Sequence, residues 1–353
     1  MSDTQAPIYH SSQIARARNA DAFIWWPALS IPYPEVIACF DHRLTGSIPA
    51  ASILRWIELL AGRKFDGMSL GCPETGVPFE HLSIMKYGPS KTTQLRELAP
   101  NEPVGMGDYF CKFPPNLSPQ DTPELPPSLP IVVPEQYSIA SKLCTDNDSG
   151  VPTVKIDLTI PAPLRQQRAA NVDITKCLLT GNVVDVDSEL RWIIPPVFYP
   201  SVKYSAYLGI PKGRRDVSYR TSGNLIPMRK DLRKLFDENA FGVDVDDDFK
   251  VYRFHKSAVD AADLPERLDA SKISEDMRPF LRAHFRWTLS LKFLGGSIEA
   301  DFPYTEVGNF CTAVEWADRG LDVLYYYSTL DHPIWETPIG RDAKILLDEM
   351  RAA

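Results

Sequence analysis

The stretch from residue 113 to 135 sets the first limit on how this chain folds. It holds eight prolines: Pro114, Pro115, Pro119, Pro123, Pro126, Pro127, Pro130 and Pro134. Each locks one backbone dihedral and removes a hydrogen-bond donor, so neither a helix nor a central strand runs through it. The stretch predicts a polyproline-like linker or an arm on the surface, and it divides the chain into portions 1–112, 113–135 and 136–353. A spacer is the simpler reading, and docking to a partner's proline-recognition module is the alternative. The 353 residues suffice for one large or two ordinary domains, and a 44% hydrophobic content can fill a substantial core.

Periodicity on either side predicts an α+β protein. Residues 23–40, rich in aromatics and prolines, predict extended segments and turns in an α+β N-terminal portion. Ile53, Leu54, Ile57, Leu59 and Leu60 follow a helical period over 50–61, with Gly62 as the stop. Residues 153–160 alternate as a half-buried strand. A short helix over 163–171 starts at Pro163. Residues 240–255 read as a hairpin around Asp246-Asp247-Asp248, a solvated turn without the spacing of a calcium loop. An amphipathic helix is predicted over 277–294, with His284 packed in its apolar surroundings and Gly295-Gly296 at its end. Residues 321–329 read as a strand and 341–351 as a closing helix. Gly67-Met68-Ser69-Leu70-Gly71 has the Gly-x-Ser-x-Gly pattern. A nucleophile elbow needs a strand before it and a helix after it, so a tight surface turn is expected here.

Two further runs carry more information. The first is Cys177-Leu178-Leu179-Thr180-Gly181 followed by Glu189-Leu190-Arg191-Trp192-Ile193-Ile194-Pro195. The second is Asn224-Leu225-Ile226-Pro227-Met228-Arg229-Lys230-Asp231-Leu232-Arg233-Lys234-Leu235-Phe236-Asp237. Together they resemble the HNH nuclease domain found in many fungal proteins, over residues 163 to about 300. The resemblance implies an HNH-like ββα unit with flanking helices in 136–353, preceded by a proline-rich N-terminal portion. In that family a strand histidine acts as general base and a helix histidine binds the metal, roles that suit an imidazole titrating near neutrality. On this chain the base position falls on Trp192 and the metal position on Arg233, while the central asparagine is kept as Asn224. Indole accepts no proton, and a guanidinium repels a cation. The resemblance therefore implies a preserved scaffold without HNH cleavage, with Trp192, Asn224, Asp231 and Arg233 as the residues of the altered cleft.

Charge adds a second candidate set. Residues 203–234 contain nine basic and two acidic residues, a formal +7, against −15 for the rest of a chain whose total is −8. Lys212, Arg214, Arg215, Arg220, Arg229 and Lys230 are the binding candidates in this island, suited to an anionic ligand, a nucleic acid or a small organic molecule. Ion pairing with the acidic remainder is the plain alternative. The six cysteines form no Cys-x-x-Cys pair, so neither a zinc knuckle nor a redox motif is expected. No metal and no cofactor is expected. The start of the chain lacks an apolar leader and no run is long enough for a membrane span, which predicts an intracellular protein, cytoplasmic or nuclear. The sequence assigns no oligomeric state.

Three functions follow, in this order. The first is a pseudonuclease that uses the HNH-like scaffold and the basic island for binding. The second is a metal-independent enzyme of a fungal metabolic pathway, of cyclase or isomerase type, with Trp192 as an apolar wall and Arg233 as an anion contact. The third is a metal-dependent nuclease whose base and ligands come from elsewhere, such as His42 or His255.

Overall fold

Strand β1 (Ala22–Trp26) is buried on both faces, and the alternation of its side chains assigns each face to a different core. Ala22, Ile24 and Trp26 join the main core, while Phe23 and Trp25 pack with Ala15, Val36, Cys39 and Phe110. Ala15 comes from the short helix α1 (Gln13–Ala17), which Ser12 caps. A computed structural model describes residues 12–26, 35–73, 95–114, 159–184, 190–196, 218–296, 301–302 and 333–336, with 341, 344, 345 and 348. Within these the chain is α+β. Strand β1 lies beside β2 (Glu35–Phe40) and β7 (Gly107–Lys112) in a five-stranded sheet of order β2-β1-β7-β4-β5, with β4 at Ser69–Pro73 and β5 at Leu95–Glu97. The β1–β7 pair is parallel and the other neighbours are antiparallel. Ser69 opens β4 instead of sitting in a surface turn, because Leu70 buries itself opposite Cys111 of β7. A short strand pair, β3 (Ile48–Pro49) with β6 (Pro103–Val104), leads into helix α3.

Helix α3 (Ala50–Ala61) forms over the predicted span and ends at Gly62 in the left-handed conformation. It carries Trp56, whose ring is fully buried against Tyr252, Phe285 and Phe293. Two of these partners lie on or just after the long helix α7 (Arg278–Lys292). Arg286 of α7 donates from Nε to the Leu59 carbonyl (3.0 Å) and from Nη2 to the Leu60 carbonyl (2.8 Å), satisfying the open end of α3. The C-terminal exit of α7 closes the β2 edge: Cys39 N–H donates to Phe293 O and Gly295 N–H to Ile37 O, each at 2.9 Å. Gly296 follows with φ +137°, and a Cβ there would meet Val36 at 2.7 Å, so only glycine fits this crossing. The proline-rich stretch is expected to separate two portions, yet the main core does not stop there. Residues before 113 and after 159 share one cluster. Beyond residue 114 the stretch itself lies outside the described residues, as do most of 153–160 and all of 321–329.

Among the described residues, the C-terminal portion forms the expected helix after Pro163, the hairpin around the aspartate turn and the long helix before Gly295-Gly296. Helix α4 (Ala162–Asn171) carries Pro163 in its first turn. Strands β8 (Leu190–Trp192) and β9 (Leu225–Pro227) pair antiparallel, and helix α5 (Lys230–Asp237) follows β9 directly. The hairpin β10 (Phe241–Asp244) and β11 (Lys250–Arg253) packs under α7. Gly242 admits the Phe285 ring where a Cβ would meet it at 2.7 Å. No helix among the described residues is long and apolar enough to cross a membrane.

Candidate functional site

The three-residue strand β8 has two chemically different faces. Its register pairs Leu190 with Pro227, Arg191 with Ile226 and Trp192 with Leu225. Leu190, Trp192 and Leu225 therefore share one side. They form a small cluster with Ile160 and Ile174, against which Leu164 of α4 packs. Ile226, on the opposite side, enters the main core with Leu232 and Phe236 of α5. Arg191 lies on that second side and is close enough to Asp237 of α5 to act on its charge.

Asn224 is buried and holds this unit together. Its Nδ2 donates to the carbonyls of Ile194 (2.7 Å) and Tyr219 (2.8 Å), and its Oδ1 accepts from the Ile194 N–H (2.9 Å). Its own carbonyl accepts from Ile193 N–H. Both amide protons are spent on backbone carbonyls, so the side chain ties the loop after β8 to the turn before β9. Gly223 beside it approaches Asp276 so closely that a Cβ would lie 2.5 Å from its carbonyl oxygen.

Arg233 and Asp237 stand one turn apart on α5. Arg233 Nε lies 3.2 Å from Asp237 Oδ2, with 26% of the arginine side chain and 18% of the aspartate exposed. Burial pushes the Asp237 carboxyl up to about 6, against the opposing pull of Arg233 and Arg191. Arg233 thus meets this half-buried carboxylate directly, and Arg191, whose Nη1 donates to the carbonyl of its neighbour Leu190 (3.0 Å), adds its positive charge from the β8 side. Lys230 and Lys234, both exposed, extend positive charge along α5 on either side of Arg233.

The other predicted residues fall elsewhere. Trp192 sits in the α4-facing cluster and shares no packing cluster with α5, so Arg191 is the β8 residue on the α5 side. Asp231 is held by Arg229, which donates from Nε to Oδ1 (2.7 Å) and from Nη2 to Oδ2 (2.5 Å). The same guanidinium reaches Asp263 (2.7 Å), so Arg229 is spent on neighbouring carboxylates. Arg220 is exposed at the turn before Asn224. Lys212, Arg214 and Arg215 lie outside the described residues. His255 caps the short helix α6 (Lys256–Val259) and pairs with Ser257. His284 is fully buried and donates from Nε2 to the Phe236 carbonyl at the end of α5 (3.1 Å). Desolvation pushes it down to about 3, which keeps it neutral.

His42 belongs to a second cluster. One ligand-type atom from each of Asp21, Asp41 and His42 lies within 4.8 Å of the others. His42 Nδ1 is 2.6 Å from Asp21 Oδ2, and His42 N–H donates to Asp21 Oδ1. Arg43 grips both oxygens of Asp41 from Nε (2.8 Å) and Nη2 (2.7 Å). Every carboxylate oxygen of the cluster is already engaged, and the group fixes the start of helix α2 (His42–Thr45).

Comparison of the chain with family models, curated proteins and solved structures finds no match. Arg191 and Asp237 are the two site residues outside the expected cleft set of Trp192, Asn224, Asp231 and Arg233, although Asp237 closes the second run. Both stand inside the two runs that carry the resemblance, and the Arg233–Asp237 spacing is itself a helical ion-pair signal.

Proposed function

We propose that this protein binds the phosphate backbone of nucleic acid through an HNH-like ββα unit that has lost its cleavage groups. One observation carries the reading: Arg233 meets Asp237 on α5, and Arg191, on the side of β8 that faces α5, adds its charge to the same carboxylate. In a working site of this shape an imidazole would take a proton from water and a cation would hold the phosphoryl oxygens. Guanidinium groups do neither, but they bind phosphate oxygens as a fork. Lys230 and Lys234 extend the positive charge along α5, and a chain of net charge −8 needs such a local concentration to approach a polyanion.

The test is fluorescence anisotropy with a labelled duplex across a salt series. Affinity falls steeply with salt, and replacing Lys230 and Lys234 with glutamine lowers the log–log slope by roughly 0.9 for each phosphate no longer neutralised. Incubation with magnesium, manganese or zinc leaves the duplex intact. Binding that ignores salt, or strand scission, overturns the reading.

A second reading has its own support. A carboxyl raised to about 6 beside two cations is a competent proton acceptor at neutral pH, as a metal-independent enzyme acting on a small organic anion would need.

A further inference from the structure

Within the described C-terminal portion, Arg229 and Arg233 stand four residues apart and differ sharply in how they are held. Arg229 makes three short contacts of 2.5–2.7 Å with two carboxylates. Arg233 meets its carboxylate through Nε, at 3.2 Å. Its fork, Nη1 and Nη2, is the part of a guanidinium that matches a tetrahedral oxyanion.

We infer that Arg191 and Arg233 form a seat for one tetrahedral oxyanion, a phosphate or a sulfate, which Asp237 occupies as an internal stand-in until the ligand displaces it. The inference rests on the nucleic-acid reading and adds which group of the ligand is recognised and what it replaces. Asp237 is a poor occupant. It lies on the same helix as Arg233 and meets the Nε edge, short of the two parallel hydrogen bonds of a fork pair. Its burial costs more than the two arginines return, so its ionised form is weakly held. An oxyanion arriving from solvent has no such tether and brings four oxygens to two half-buried cationic groups, Arg233 and Arg191, the latter with its Nη1 donating to the Leu190 carbonyl (3.0 Å). Free phosphate and a backbone phosphodiester offer the same chemistry, and the experiment separates them.

The probe is sodium sulfate, whose charge does not change between pH 5 and pH 8, titrated calorimetrically into the full chain. Arg191→Gln and Arg233→Gln each weaken sulfate binding by roughly tenfold, the loss of one hydrogen bond between charged groups. Asp237→Asn, which removes the competing charge and keeps the shape, tightens it. The unaltered chain also binds sulfate more tightly at pH 5 than at pH 7.5, because Asp237 is then protonated among Arg191 of β8, Arg233 of α5 and Glu238 at the end of that helix. Asp237→Asn abolishes that pH dependence, which keeps the test valid if the variant alters folding slightly. Unchanged or weaker binding by Asp237→Asn, or indifference to either arginine, overturns the inference. A duplex arm distinguishes the two claims. Duplex binding that persists in both arginine variants leaves the nucleic-acid reading standing and removes the seat. Sulfate binding with the stated variant pattern, but no duplex binding, leaves the seat standing for a free oxyanion and removes nucleic acid.

Discussion

The core around Trp56 and the angle between β8, β9 and α5 both bury charge, and they treat it in opposite ways. Around Trp56 each charged group has a close partner. Asp244 Oδ2 accepts from Arg55 Nη2 (2.5 Å) and from Trp56 Nε1 (2.9 Å), and Arg286 serves the carbonyl end of α3. These pairs join residues nearly 190 and more than 220 positions apart in the chain, so they fasten the N-terminal portion to the C-terminal one. In the second region Asp237 meets Arg233 at 3.2 Å and feels the charge of Arg191; burial raises the carboxyls of both Asp244 and Asp237, so the closeness of the contacts is what tells the two regions apart. Tight pairing stabilises a single arrangement, whereas a loosely held charge costs stability and leaves room for exchange. The difference separates a structural core from a candidate site better than any single residue type does.

Truncating Trp56 is the strongest way to break the comparison. Trp56→Ala removes a fully buried indole and takes one donor from Asp244, and costs roughly 3–5 kcal/mol. Because the ring touches both portions, chemical denaturation followed by tryptophan fluorescence and by far-ultraviolet dichroism shows one coincident transition at lower denaturant. Separate transitions for the two portions would show that the shared core does not couple them.

Asn224→Ala comes next, at about 3 kcal/mol for three buried side-chain hydrogen bonds, each at roughly 1 kcal/mol. The effect is local in a way that Trp56→Ala is not. Hydrogen exchange at the Ile193 and Ile194 amides quickens, while amides of α3 keep their protection. Equal loss of protection in both places would erase the distinction between the regions.

These two residues also show what is legible in the sequence. The helical period marks α3 to its last residue, and Pro163, the aspartate turn and Gly295-Gly296 mark α4, the β10–β11 hairpin and the end of α7. Asn224 is recognisable as a fixed point of its run, but its partners are not, because a sequence does not say which carbonyls an amide will reach. The facing of β8 is the larger gap. Three residues are too few for alternation to set a register, so either Trp192 or Arg191 is compatible with the α5 side on sequence grounds. The small apolar cluster with Ile160, Ile174 and Leu225 takes the indole and leaves the guanidinium to Asp237. Distance in the chain hides the α3–α7 staple as well: nothing near Arg286 announces the carbonyls of Leu59 and Leu60.

Asp108 sharpens the contrast from the side of the sheet. It is buried, accepts from Trp25 Nε1 at 2.7 Å, and is raised by burial to about 6. A folded-state value above the unfolded one means that the folded protein holds more protons between the two, so this group's contribution is largest below about 4 and is lost as pH rises through about 6. Asp108→Asn keeps an acceptor for Trp25 and removes the charge. Thermal unfolding at pH 7.5 should show the variant more stable, by up to about 2–3 kcal/mol for a shift of roughly two pH units. At pH 4 the two proteins melt alike. A variant less stable at pH 7.5 would mean that the ionised carboxylate has a role in the sheet beyond accepting from Trp25.

The smallest effect is the one that tests the facing of β8 directly. Trp192→His with Arg233→His puts imidazoles at the two positions the family resemblance marks, but only one of them faces Asp237. Arg191→His with Arg233→His puts two imidazoles and a carboxylate on the same side of the β8–β9 pair. Such a set suits zinc, which takes nitrogen and carboxylate ligands in tetrahedral sites. Calorimetry should therefore show zinc uptake by the Arg191/Arg233 pair of substitutions and none above the unaltered chain by the Trp192/Arg233 pair. The comparison is internal, since the two double variants share one change and differ by one step along a strand, where one step reverses the face. Uptake by the Trp192 variant alone would return the indole to the α5 side of β8 and restore the register drawn from the motif.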